Sequence, residues 1–93
     1  MTGTDITDYA IRYLVEQSFT RETDTHLYGY ARYEHPSGRV RVEIVDPEAA
    51  SFTIHALSAA PAKVPLWNVQ TYYAPHAVFT ASVDAALTAH SRT

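Results

Sequence analysis

The sequence predicts an α+β fold in which one antiparallel sheet is covered on one face by two helices. Apolar residues recur with helical spacing near both ends of the chain, over residues 5–19 and 75–90. The stretch between them alternates apolar and polar residues as strands do, and it is interrupted by clusters of turn-forming residues. The predicted order is α-β-β-β-β-α, a four-stranded antiparallel meander with the N-terminal and C-terminal helices packed on the same face.

The first helix has a start signal and an apolar stripe. Thr4 or Asp5 can cap it, and Asp5 and Asp8 lie in its first turn, where the helix dipole favours acidic groups. The stripe consists of Ile6, Tyr9, Ala10, Tyr13 and Leu14. We expect this helix to run to about Phe19, and the polar residues 20–25 to form a loop.

Two alternating segments, residues 27–34 and 39–46, predict the first two strands. Residues 35–38, His-Pro-Ser-Gly, are turn formers and connect them as a hairpin. Pairing Glu34 with Arg39 places the apolar residues of both strands on one face, so the predicted register is self-consistent.

Residues 51–58 and 67–73 predict the third and fourth strands, and Pro75 suits the first turn of a helix that ends near His90. Trp67 would point toward the helices. Two interpretations of Trp67 stay open, since its ring could belong to the core or form a stacking platform for a ligand.

Length and composition narrow the function classes. The 93 residues fit a single domain, residues 1–93, and the net charge is −3 with Lys63 as the only lysine. A nucleic-acid-binding surface needs several phosphate contacts, so that partner is unlikely. No cysteine and no apolar run of membrane-spanning length occur, and the first residues are polar. We therefore expect a soluble cytoplasmic protein with no membrane partner.

A series of short motifs follows the predicted hairpin turn. The run His-Pro-Ser-Gly-Arg-Val-Arg-Val at residues 35–42 precedes Asp-Pro at 46–47, Phe-Thr-Ile at 52–54, Pro-Leu-Trp at 65–67 and a helix opened by Pro75. This pattern, over about residues 35–90, resembles the SPDY-motif domain family of actinomycetes, whose function is unknown. His35, Ser37 and Ala74 stand where the family shows Ser, Asp and Thr. Because the function of the family is unknown, the resemblance implies no activity.

The histidines do not have the spacing of metal ligands. No pair stands four residues apart on a predicted helix, and no His-X-His occurs in a predicted strand. We expect no metal, no cofactor and no catalytic residue. The alternative is an enzyme or a small-ligand-binding domain. The predicted register puts Glu43 opposite His55 with Tyr30 adjacent, and these three side chains could serve acid–base catalysis or bind a small ligand.

The sheet face turned away from the helices is the predicted functional surface. Its candidate partner-binding residues are Tyr28, Tyr30, Arg32, Arg41, His55 and Tyr72. Tyrosine and arginine are enriched at protein interfaces, and the predicted register sets Arg32 opposite Arg41, an unfavourable pair without a nearby acid. The first hypothesis is a non-catalytic module that binds another protein or a second copy of itself, for example as an inhibitor or regulator. A second alternative is nucleic-acid binding through Arg32, Arg39 and Arg41.

Overall fold

A computed structural model describes residues 2–22 and 31–90. The elements in chain order are α1 (Gly3–Glu16), β1 (Thr20–Arg21), β2 (Ala31–Glu34), β3 (Val40–Asp46), β4 (Ser51–Leu57), β5 (Pro65–Tyr72) and α2 (His76–His90). The α+β prediction is confirmed. In the described part of the chain the sheet has five strands, in the order β1-β2-β3-β4-β5, and not four.

Every pair of neighbouring strands is antiparallel, so the sheet is a meander. Both helices pack on one of its faces, where their apolar stripes meet the inward side chains of the central strands. This core contains, among others, Leu14 of α1, Val42, Ile44, Phe52 and Ile54 of the sheet, and Phe79, Val83 and Leu87 of α2. No helix in the described part of the chain is long and apolar enough to cross a membrane.

Helix α1 begins and ends earlier than expected. Thr2 is its N-cap, because the Thr2 hydroxyl accepts from the Asp5 amide and the Asp5 carboxylate accepts from the Thr2 amide, a capping box. The hydrogen bond from the Thr2 amide holds the pKa of Asp5 below its usual range. Ser18 adopts a positive φ of 72° and ends the helical path, and Phe19 then enters the core from an extended segment.

The predicted loop at residues 20–25 is wrong at its start. Thr20 and Arg21 form the short edge strand β1, which pairs with Glu34 and Tyr33 of β2. Polar composition suggested a loop, but a two-residue edge strand has one solvated side and no apolar pattern to reveal it. Residues 23–30, which include the first half of the predicted first strand, lie outside the described residues.

The register of the hairpin between β2 and β3 differs by two residues from the predicted one. The His35 amide donates to the Val40 carbonyl at 3.0 Å, so Glu34 pairs with Arg41 and not with Arg39. The turn itself causes this shift: Gly38 has a φ of 72°, and the Ser37 hydroxyl accepts from the Arg39 amide at 3.1 Å, which keeps Arg39 in the turn. The shift moves each partner by two positions, so the predicted faces are unchanged.

Candidate functional site

The site is the face of β2–β5 opposite the helices, here called the outer face. It consists of Arg32, Glu34, Arg41, Glu43, Thr53, His55, Asn68, Gln70 and Tyr72. These residues alternate with core residues along each strand, because successive strand side chains point to opposite faces. Of the predicted partner-binding residues, the structure places Arg32, Arg41, His55 and Tyr72 on the outer face. Tyr28 and Tyr30 lie outside the described residues.

The prediction that Arg32 lies opposite Arg41 is wrong. In the observed register Arg32 lies opposite Glu43, and Arg41 lies opposite Glu34. Arg32 Nη1 is 3.6 Å from the carboxylate of Glu22, and Arg41 Nη2 is 3.1 Å from that of Glu34. The two-position shift at the hairpin turn therefore replaces a repulsive pair with an alternation of opposite charges.

Glu34 accepts hydrogen bonds from two cations through one oxygen. Lys63 Nζ lies 2.7 Å and Arg41 Nη2 lies 3.1 Å from Glu34 Oε1. Partial burial by itself would raise the pKa of Glu34, but the hydrogen bonds from Lys63 and then Arg41 outweigh it and hold this pKa below its usual range. The carboxylate therefore links β2, β3 and the segment before β5.

The predicted pairing of Glu43 directly opposite His55 is wrong, but the two side chains are in contact along a diagonal. Across β3 and β4, Glu43 lies opposite Thr53, and His55 lies opposite Arg41. The imidazole Nε2 nevertheless reaches Glu43 Oε1 at 2.9 Å, with both side chains about three-quarters buried. The contact is an ion pair when His55 is protonated and a hydrogen bond when it is neutral.

Tyr72 ends the outer face at the open edge of the sheet. The residue is 72% exposed, the highest exposure among the large apolar and aromatic residues in the described part of the chain. Gln70 and Asn68 precede it on the same face and are also exposed. The outer face thus changes from a charged, half-buried centre on β2–β4 to an uncharged, exposed margin on β5.

Trp67 belongs to the helix side and has a structural role. Its ring is partly buried against the core, and its indole Nε1 donates to His90 Nε2 at 2.8 Å. This hydrogen bond joins β5 to the last turn of α2. The contacts of Trp67 are therefore those of a partly buried residue packed against the core.

A second cluster lies on the outside of the helices and was not predicted. Tyr9 stacks on His76 with ring centroids 3.8 Å apart, and Tyr13 donates a hydrogen bond to Asp84. Tyr9, Arg12, Tyr13 and Glu16 line an open hollow of about 210 Å³. Their spacing of three and four residues on one helix was the available signal. The hollow is smaller than the ~300–1,000 Å³ of typical small-molecule sites.

Metal binding finds no support in the described side chains. No group of three or more histidine, aspartate or glutamate residues converges among residues 2–22 and 31–90. Comparisons with protein-family models, with curated proteins and with solved structures gave no match to this chain.

Proposed function

We propose that this protein is a non-catalytic interaction module that binds another protein through the outer face. One observation carries the proposal. Both helices pack on the opposite side of the sheet, while the outer face keeps Tyr72 exposed beside a centre whose charges are paired with one another. An inhibitor or regulator of a larger protein fits such a surface.

Internal charge pairing lowers the cost of covering this face. An isolated charge buried under a partner loses its hydration without compensation, whereas a paired charge keeps its counter-ion. Arg32, Arg41 and Lys63 each contact a carboxylate, and all of these side chains are already largely buried. A partner covering the centre of the outer face therefore removes little water from unpaired ions, while Tyr72 supplies apolar contact area.

The same pairing weighs against a nucleic-acid partner. Arg32 and Arg41 are held by carboxylates, and Arg39 Nε donates to the Leu57 carbonyl at 2.6 Å. A phosphate would have to compete with these internal acceptors. The carboxylates that surround them, above all Glu34, would also repel a phosphate backbone.

An enzyme or small-ligand domain centred on Glu43, His55 and Tyr30 is the alternative. Its support is the 2.9 Å contact between Glu43 and His55. Such contacts are also ordinary cross-strand pairs on sheets, so the interaction module remains the preferred proposal. A cytoplasmic location, and membership of the SPDY-motif family suggested by residues 35–90, are further proposals. Neither of them assigns an activity.

Capture of a partner tests the outer face. A tagged chain would be compared with Tyr72→Ala and with a control, Val15→Ala, which removes an exposed apolar side chain from α1. We expect both variants to melt like the wild type. We expect Tyr72→Ala to weaken binding of the captured protein, remeasured with purified components, by about 2 kcal/mol, the hot-spot scale.

The opposite pattern would overturn the proposal. Binding that survives Tyr72→Ala but is lost in Val15→Ala would move the contact surface to the helices. The captured protein must differ in mass from the chain itself, so that self-association is not counted as partner binding.

A further inference from the structure

The two edges of the sheet differ in length and charge. β1 is two residues long and contains Arg21, with Glu22 directly after it. β5 is eight residues long and has no charged residue. Proteins usually protect an edge strand by shortening it or charging it, because its free backbone groups can pair with another strand. The β1 edge is protected in this way, whereas β5 has a protecting proline only at its first position, Pro65.

The backbone hydrogen bonds show which groups of β5 point outward. The Tyr73 amide donates to the Ala50 carbonyl at 3.2 Å, in the same register that pairs Tyr72 with Ser51. Bonded and non-bonded pairs alternate along an antiparallel ladder. The amides of Val69 and Thr71 therefore face β4, and those of Asn68, Gln70 and Tyr72 face the open edge.

No described residue occupies this edge. Among the described strands, β5 is last in the order and pairs with β4. Apolar surface accompanies the free backbone groups, since Val69 is 39% exposed on the helix side and Tyr72 is exposed on the outer face.

We propose that β5 pairs antiparallel with β5 of a second copy of this chain, about a two-fold axis beside Gln70. In this register Gln70 lies opposite Gln70 of the partner subunit, and Asn68 lies opposite Tyr72 of the partner subunit. Every outward amide and carbonyl from Asn68 to Tyr72 then gains a partner. The two sheets continue as one, with all helices on the same side.

A second copy fits this edge because the edge is self-complementary. A two-fold axis requires that one surface match itself, and an antiparallel strand pair meets that condition when the outward groups are centred on one residue. The absence of charge on β5 means that two copies bring no like charges together. Strand pairing over so short a segment buries less than the ~1,200–2,000 Å² of stable interfaces, so the dimer is expected to be weak.

Charge substitutions at the proposed axis test the pairing. Sedimentation velocity on the purified chain between about 1 μM and 1 mM would measure the dissociation constant. We expect Gln70→Lys and Gln70→Glu each to weaken the dimer by about tenfold or more, because like charges then face each other. An equimolar mixture of the two variants should dimerise again. Thr88→Lys, on the exposed side of α2, is the matched control and should behave like the wild type.

Amide hydrogen exchange gives a second, residue-level readout. The amides of Asn68, Gln70 and Tyr72 should become more protected as the chain concentration rises, while those of Val69 and Thr71 should be protected at every concentration by β4. A chain that stays monomeric over the whole range, or a mixture of the charged variants that does not recover, would overturn the proposal. The proposed function concerns a different partner and is tested separately, so either can fail alone.

Discussion

At the scale of single residues, Glu34 joins two cations on the outer face. Its carboxylate binds Lys63 and Arg41 through the same oxygen, and its pKa is held below the usual range. A depressed carboxyl pKa stabilises the folded state above the unfolded-state pKa, and that contribution is lost as the pH falls through the folded-state pKa.

Glu34→Gln should therefore reduce stability in a pH-dependent way. We expect the variant to lose a few tenths to about 1 kcal/mol near neutral pH, the range for partly exposed ion pairs. The difference from the wild type should shrink in acid, where Glu34 is protonated in both states. Urea unfolding at several pH values measures it. Glu48→Gln, which removes an exposed carboxylate, should show no comparable pH dependence.

Ala31 tests the packing of the helix-covered face. It is buried opposite Ile44, whereas Ala62 is exposed in the segment before β5. Ala31→Leu should destabilise the fold by about 1–3 kcal/mol through overpacking, and Ala62→Leu should have little effect. Equal denaturation midpoints for the two variants would contradict the assignment of Ala31 to the core.

Side-chain faces could be predicted from the sequence, but pairing partners could not. A strand has a period of two, so Val42, Ile44 and Ile54 identify the buried face regardless of register. The register depends on the backbone path of the hairpin turn, including the positive φ of Gly38 and the Ser37 hydrogen bonds. The charge pairs of the outer face follow from that path and were therefore mispredicted for Arg32 and Arg41.

At the scale of elements, the start of α1 is fixed by a close backbone approach. Gly3 lies in the first turn of the helix against the turn between β3 and β4, and a Cβ built on it would overlap the Glu48 carbonyl oxygen. One turn later, the Thr7 hydroxyl donates to the Pro47 carbonyl at 2.6 Å. The sequence pattern gives no signal for this contact, because Gly3 lies among polar residues at the N-terminus.

Gly3→Ala should destabilise the protein, although alanine is the better helix former by about 1 kcal/mol. The added methyl group meets backbone atoms that cannot rotate away, so α1 must shift from the turn. We expect a net loss of about 1–3 kcal/mol, the scale of overpacking. Thr4→Ala, at the exposed neighbouring position of the same helix, is the control. A melting temperature for Gly3→Ala at or above that of the wild type would contradict the close approach.

At the scale of the whole molecule, the layered arrangement agrees with the reason for which the sequence predicts the outer face as the binding surface. Both helices use their apolar stripes on one side of the sheet, so no helix among residues 2–22 and 31–90 lies on the other side of the central strands. The sequence could not show that its centre is a paired charge network, since Lys63 joins Glu34 from 29 positions away.

The sequential strand order also distributes the entropy cost of folding unevenly. From β2 to β5, each hairpin of the meander joins strands that are neighbours in the chain, so only a short loop must close before the pair can form. Helix α1 is different, since its contacts with Pro47 and Asp84 span 40 and 71 positions. Docking of α1 therefore brings together residues that are far apart in the chain, which costs conformational entropy. The sheet and α2 can assemble before that entropy cost is incurred.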